Sequence, residues 1–204
     1  MPTKNREYRS MELRLAPQEE GESYMVEGYA STYEPYVLMT VDGVDYSERI
    51  EPTAFDGADI SDVVFRVDHE GPVYARSSAG TLEVWPDEHG LANKTNLGKT
   101  QRARELYADI EAGNYPQMSF AFTVADEHYD KATHTRVIDR IAKVFDVSAV
   151  SFPANPTTEL NVTTRDYFNG VIEAERAERL ERERLELERR RAEVRAKALL
   201  GGNK

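Results

Sequence analysis

Alternating apolar and polar residues predict short β-strands along most of this chain. The clearest alternation spans residues 116–124, where Met118, Phe120 and Phe122 are separated by small or polar residues. A period of two is typical of a strand with one buried face, and it places Ser119 on the face opposite the aromatic side chains. Other segments rich in apolar, aromatic or β-branched residues also favour strands: 7–15, 24–33, 62–67, 80–85, 91–97, 134–142 and 145–152.

Turn-forming residues between these segments predict how the strands connect. We expect 7–15 and 24–33 to pair as antiparallel neighbours, with Gly28 marking a bulge or a close backbone approach. Segments 80–85 and 91–97 are expected to form a hairpin. Two stretches favour irregular loops: 34–46 and 125–133. Roughly seven or eight strands with few helices predict a mainly β (α+β) fold of barrel or sandwich type, because strand–helix alternation is too rare for a doubly wound sheet.

Helical spacing is confined to a few places. In residues 100–112, Leu106 and Ile110 share one face, and a Gly-Asn pair follows as a stop signal. Pro52 and Thr53 could open a short helix. From residue 168 to 200, Glu, Arg, Ala and Leu dominate and Glu-before-Arg pairs recur at four-residue spacing, which predicts one long charged helix.

Charge separates the chain into two parts. The whole chain has a net charge of −11, but residues 167–204 hold 8 acidic and 10 basic residues, which leaves −13 on the part before them. We therefore expect a body, 1–166, and a charged helical extension, 167–204. One apolar row along the extension, Leu180, Leu187 and Val194, favours either a helix that docks on a partner or a solvated tail. The acidic body argues against nucleic-acid binding, because it repels phosphate.

Composition excludes several kinds of site. The absence of cysteine rules out disulfides, thiolate catalysis and Cys-based zinc sites, and it fits a reducing compartment. No run of apolar residues is long enough to span a membrane, and the N-terminus leads into no apolar stretch, so we expect a soluble, intracellular protein without a membrane partner. His89, His128 and His134 lack ligand-like spacing with carboxylates, so no metal and no cofactor are expected.

Three residues are candidates for chemistry. Ser119 could serve as a nucleophile if a base reached it, although a small polar residue on a solvated sheet face is the simpler interpretation. His69 lies in the turn 68–72 (DHEGP) that directly follows the apolar strand 62–67, where it is either a general base or a turn residue without a role. Asp146 alternates with apolar neighbours, which puts it beside Ser148 on the polar face of its strand.

Five segments, taken together and in this order, resemble the prohead (capsid maturation) serine proteases of tailed phages and prophages. They are 27–30 (EGYA), 50–55 (IEPTAF), 67–70 (VDHE), 118–122 (MSFAF) and 146–156 (DVSAVSFPANP). The resemblance implies a fold similar to the herpesvirus assemblin proteases, a β-barrel with surrounding helices, and this agrees with the strand count.

By position, the resemblance implies that Ser119 is the nucleophile, His69 the general base and Asp146 the acid that orients His69. The third place is the least uniform in such proteases. The chain departs from the pattern at Ala121, where family members often carry glycine. Arg136 and Arg140 lie between the Ser and Asp strands and could support the site, but structural ion pairs are the first expectation for them.

The implied function is a serine endopeptidase that cleaves scaffold and major capsid protein segments, and also itself, inside assembling proheads in the host cytoplasm. Analogy with related folds adds self-association. The alternative is a non-enzymatic internal scaffold or coat-binding assembly protein that retains the protease fold. A metal hydrolase is a third class, which chelator sensitivity would reveal.

Overall fold

The computed structural model describes residues 6–12, 24–151 and 162–201. The chain forms two compact units, Met1–Thr163 and Thr164–Lys204. In the described residues, the first unit contains the strands and one α-helix, and the second is a single α-helix.

The described residues of these units form ten strands and two α-helices, with a 3₁₀ turn at Ser77–Ala79. The strands are β1 (Glu7–Glu12), β2 (Met25–Thr32), β3 (Tyr36–Val41), β4 (Val44–Ile50), β5 (Val64–Val67), β6 (Glu70–Arg76), β7 (Leu82–Pro86), β8 (Gly90–Asn96), β9 (Gln117–Asp130) and β10 (Thr135–Val150). The helices are α1 (Gln101–Glu111) and α2 (Val162–Gly201).

The longest strand, β10, organises the larger of two sheets. This sheet has the order β1-β9-β10-β4-β3, and the smaller one has the order β2-β8-β7. On one edge β10 pairs with β9 as an antiparallel hairpin. On its other edge it pairs in parallel first with β4 and then with β5, and β6 lies outside β5. At 16 residues, β10 is long enough to hold two strands end to end on one edge.

The core forms where both sheets and α1 bury their apolar faces. The alternation in β9 buries Met118, Phe120 and Phe122 completely, and the two phenylalanine rings stack 4.4 Å apart. Helix α1 contributes Leu106 and Ile110 to the same apolar cluster. Its N-terminus is capped by the Thr100 hydroxyl, which accepts a hydrogen bond from the Ala103 amide.

Several sequence predictions are confirmed. The fold is mainly β with two α-helices, the second of them long and charged. The hairpin predicted from 80–85 and 91–97 is β7–β8. In the neighbouring strand β2, Gly28 pairs with Asn93 of β8, and a bulge follows between Tyr29 and Ser31. The helix predicted over 100–112 is α1.

Other predictions are wrong, chiefly where pairing is non-local. Strand β1 pairs with β9 and β2 pairs with β8, so within the part of the chain that the structure describes the expected pair between the first two strands does not form. The sheets do not close into a barrel, because in the described residues no strand of the smaller sheet is hydrogen-bonded to a strand of the larger one. Residues 13–15 and 152, at the ends of two predicted strands, lie outside the described residues.

Local misreadings have simple physical reasons. The predicted loop 34–46 is the β3–β4 hairpin around Asp42-Gly43, whose exposed edge strand lacks a clear apolar alternation. Most of the predicted loop 125–133 continues β9, which is polar because it is only partly covered there. After Pro52 the chain makes hydrogen-bonded turns instead of a helix, and the Ala54 carbonyl accepts from Ile141 of β10.

Helix α2 is a charged rod of 40 residues. Leu180, Leu187 and Val194 are exposed along it, and Arg190 donates to Glu186 at 3.0 Å. Among the described helices, none is both long and apolar enough to cross a membrane.

A buried ion cluster connects four adjacent strands of the larger sheet. Its members are Glu7 and Arg9 of β1, Glu48 of β4, Glu127 of β9 and Arg136 of β10. Arg136 is 1% exposed and lies 2.6 Å from a Glu7 oxygen and 2.9 Å from a Glu48 oxygen. Arg9 donates to both oxygens of Glu48, at 2.5 and 2.6 Å.

The carboxylates of the ion cluster raise the pKa values of Arg9 and Arg136 by more than burial lowers them. Burial alone would lower the pKa of Arg9, but the nearby charges of Glu48, Tyr36 and Glu7 raise it well above its usual value. The pKa of Arg136 is also raised, because hydrogen bonds and charge from Glu7 and charge from Glu48 exceed the effect of burial. Arg136 therefore has the structural role that was its first expectation.

Replacing Arg136 by methionine should destabilise the body strongly. The change leaves buried carboxylates with one guanidinium fewer, so we expect the free energy of unfolding to fall by about 3–5 kcal/mol. Urea unfolding followed by the fluorescence of Trp85, the single tryptophan, measures this. The control is Arg190→Met on exposed α2, which should change stability by less than about 0.5 kcal/mol. Equal effects of the two changes would show that the cluster contributes nothing.

Candidate active site

Ser119 is fixed inside the sheet by strands on both sides. It lies near the start of β9, opposite Ser148 of β10 on one edge and Ser10 of β1 on the other. Because Met118 and Phe120 face the core, the Ser119 hydroxyl points to the opposite face. The residue is only 1% exposed, so that face is covered and is not the solvated surface of the simpler interpretation.

His69 lies in a tight turn between β5 and β6. Val67 pairs with Glu70, and the two residues between them, Asp68 and His69, have φ angles of 46° and 59°. Two successive positive φ values are the mark of a type I′ turn, which favours Asn and Gly. A histidine at the second position is therefore strained by roughly 1–2 kcal/mol, and strain of this kind is concentrated at functional sites.

Asp68 fastens this turn to the end of β10. Its amide donates to the Ala149 carbonyl at 3.0 Å, which continues the β5–β10 ladder. Its carboxylate accepts from the Ser151 amide at 3.0 Å and from the Ser151 hydroxyl at 3.2 Å. These bonds hold the turn, and so the imidazole that it carries, against the strand that provides Asp146.

Asp146 reaches the same face through strand register. It pairs with Val64 of β5 and Ala121 of β9, and Ser148 lies two residues further along β10. Residues two apart share a face, and Ser148 is opposite Ser119, so all of these side chains project to one side of the sheet. Asp146 is buried at 3% exposure.

An unbroken chain of hydrogen bonds connects the candidate residues. His69 Nδ1 lies 2.6 Å from Asp146 Oδ1, and His69 Nε2 lies 2.7 Å from Ser119 Oγ. Because a carboxylate only accepts, Nδ1 carries the proton and donates, which leaves Nε2 to accept the Ser119 proton. The Ser148 hydroxyl donates to the same Asp146 oxygen at 2.8 Å. The structure thus brings together all three residues singled out from the sequence.

Two neighbours of His69 carry no sequence signal for this site. The Tyr8 ring packs on the His69 imidazole, with centroids 4.4 Å apart. Burial, followed by the charge of Asp146, raises the pKa of the Tyr8 phenol. Asp68 looks like an ordinary turn residue in the sequence, and its contact with Ser151 spans 83 positions.

The other histidines have separate partners. His128 lies 2.6 Å from Asp139, and this hydrogen bond raises the pKa of its imidazole. His134 contacts the Tyr129 hydroxyl at 3.0 Å. Among the described residues, no group of three or more His, Asp or Glu side chains could hold a metal ion.

This arrangement matches the chemistry of an activated serine. An imidazole that accepts from the hydroxyl and donates to a buried carboxylate can remove the hydroxyl proton as the oxygen attacks a carbonyl. Ser119 and His69 are 50 positions apart in the chain, so the sheet register, and not local sequence, creates the contact.

Comparison with known proteins identifies one family. A family model described as caudovirus prohead serine protease matches residues 10–170, which is most of the chain. The match contains β9, β10 and the turn with His69, whereas Tyr8 lies outside it. No curated protein and no solved structure matches the chain significantly.

Removing the Ser148 hydroxyl should weaken the reactivity of Ser119. Ser148→Ala takes away one of two donors to Asp146 Oδ1, and hydrogen bonds to charged groups are strong enough that we expect Ser119 to react about 10- to 100-fold more slowly. The measurement is the rate of covalent labelling by a fluorophosphonate, a reagent for activated serine hydroxyls.

The matched control is Ser31→Ala. Ser31 is also completely buried in a strand, but its hydroxyl donates to the Thr32 carbonyl in the smaller sheet. Its loss should leave the labelling rate within about twofold of the parent, because it touches no group of the site. A Ser148→Ala protein that is labelled as fast as the control would contradict the expectation.

Proposed function

The chain belongs to the caudovirus prohead serine protease family, and we propose that it is the endopeptidase that removes scaffold and major capsid protein segments inside the prohead. Family membership makes it a serine peptidase of phage capsid maturation, which acts on capsid proteins in proheads within the host cell. The choice of scaffold and coat segments as substrates, cleavage of the chain by itself, and self-association are parts of the proposal.

The proposed mechanism assigns one role to each member of the hydrogen-bond chain. Ser119 Oγ attacks the peptide carbonyl while its proton moves to His69 Nε2. The imidazolium then gives that proton to the leaving amine as the C–N bond breaks, which leaves an acyl-enzyme. A water molecule, activated by the same imidazole, releases the acid and restores Ser119. Backbone N–H groups stabilise the oxyanion in both steps.

Asp146 has an orienting role in this proposal. It accepts from His69 Nδ1 at 2.6 Å, which favours the tautomer with a free Nε2 and stabilises the imidazolium that forms. The observation that carries the proposal is the continuity of contacts from Ser119 through His69 to Asp146, at 2.7 and 2.6 Å. A non-enzymatic scaffold would have no need for a strained histidine held between these groups.

We assign the two parts of the chain different tasks. Residues 1–166 are the protease domain, and 167–204 are an extension that brings the enzyme into the assembling shell and is open to trimming by self-cleavage. The exposed Leu180, Leu187 and Val194 on the charged helix support this, because an apolar row on a polar rod suits a partner helix.

Ser119→Ala should abolish processing of the coat protein. Loss of a triad member lowers the rate on the order of 10⁴-fold or more. The test is co-expression of the full chain with its coat protein, followed by gel analysis of coat-protein size. The control is Ser61→Ala, because Ser61 is exposed and its hydroxyl donates to Asp59; this variant should process the coat protein normally. Normal processing by Ser119→Ala would exclude Ser119 as the nucleophile and favour the non-enzymatic alternative.

A chain that ends at Asp166 should cleave coat protein in solution yet stay out of proheads. The reason is that the extension, and not the protease domain, would carry the contact with the shell. Enrichment of the enzyme in purified proheads, measured by immunoblot, tests this. A second version ending at Ala174 retains the first turns of α2, which include the buried Phe168 and Ile172. Entry of either shortened chain at the level of the full chain would refute the recruiting role.

A further inference from the structure

We propose that Tyr8 is a positioning residue for His69, holding the imidazole in the orientation that connects Ser119 to Asp146. This inference deepens the proposed function and rests on it. It assigns a role in the active site to a residue of β1 that lies just before the segment matched by the family model, residues 10–170.

The contact is direct and geometrically suited to this task. The Tyr8 and His69 ring centroids are 4.4 Å apart and the planes are inclined by 57°. Tilted aromatic pairs at this distance are attractive beyond the area they bury. When His69 takes the Ser119 proton it becomes a cation beside an aromatic ring, an arrangement that favours the charged form.

Register explains why Tyr8 reaches the active-site face. Tyr8 pairs with Ala121 of β9, which is also opposite Asp146 in β10. These three residues therefore form one row across the sheet, on the face that carries Ser119. The tyrosine ring extends from this row over the imidazole.

The two neighbours of Tyr8 in β1 hold the strand from the other face. Alternation directs Glu7 and Arg9 away from His69 and into the buried ion cluster, where they pair with Arg136 and Glu48. Because buried ion pairs hold its strand, the Tyr8 ring is a rigid surface against which the imidazole packs. His69 needs this support because it lies in a strained two-residue turn and its side chain is still 15% exposed.

Proton transfer by the phenol is not part of the role. Burial and the charges of Asp146 and Glu70 raise the pKa of Tyr8, and Arg6 opposes this, so the phenol is neutral near pH 7. A neutral ring that acts by packing on the imidazole should be replaceable by phenylalanine. If the hydroxyl itself took part in the chemistry, phenylalanine could not replace Tyr8.

The test compares variants of the full chain by fluorophosphonate labelling of Ser119. Tyr8→Phe keeps the ring and should be labelled within about twofold of the parent rate. Tyr8→Leu and Tyr8→Ile keep apolar bulk without the ring, and the maximal labelling rate should fall about tenfold at an unchanged half-saturating concentration. Urea unfolding followed by Trp85 fluorescence identifies variants that are folded, and either aliphatic variant suffices.

Each other outcome overturns the inference. An aliphatic variant labelled at the parent rate would show that the ring positions nothing, and faster labelling would make Tyr8 an obstruction to Ser119. A Tyr8→Phe protein as slow as the aliphatic variants would transfer the effect to the hydroxyl. If the unsubstituted protein is not labelled at Ser119, both the proposed function and this inference are wrong. If it is labelled, the proposed nucleophile stands, and the variants test the role of Tyr8 alone.

Discussion

The register of β10 between its neighbours is the constraint on which the candidate active site depends. On one edge the antiparallel pairing with β9 places Ser148 opposite Ser119. On the other edge the parallel pairing with β5 brings the following turn, with His69, to the end of β10. A slip of one residue on either edge would turn Ser119 or Asp146 to the core face, because side chains alternate along a strand.

The larger sheet separates a reactive arrangement from a structural one. One face carries the hydrogen-bond chain of Ser119, His69 and Asp146, whose members exchange a proton in the proposed mechanism. Residues on the other face, with Arg136 at their centre, form an ion cluster of fixed charges. Strand β1 belongs to both, because Tyr8 contacts His69 while its neighbours enter the cluster. Rigidity supplied by one face can therefore set the geometry of the other.

Sequence patterns predicted the elements whose signals are local. Alternation in 116–124 correctly placed Ser119 opposite the aromatic side chains, and the spacing in 100–112 correctly gave α1. The candidate residues came from motifs, and resemblance to a family implied their roles. Neither source contained the distances. No local pattern encodes the contacts that join distant segments. These contacts are the pairing of β1 with β9, the hydrogen bonds between Asp68 and Ser151, and the packing of Tyr8 on His69.

The long separations inside the site also bear on when the enzyme becomes competent. His69 contacts the carboxylate of Asp146, 77 positions later in the chain. The turn that carries His69 is held by hydrogen bonds from Ser151 to Asp68, 83 positions apart. A nascent chain emerging from the ribosome contains His69 and Ser119 before it contains β10, the strand that carries Asp146. In the proposed mechanism, the polypeptide is therefore catalytically silent until β10 has emerged and paired with β5 and β9.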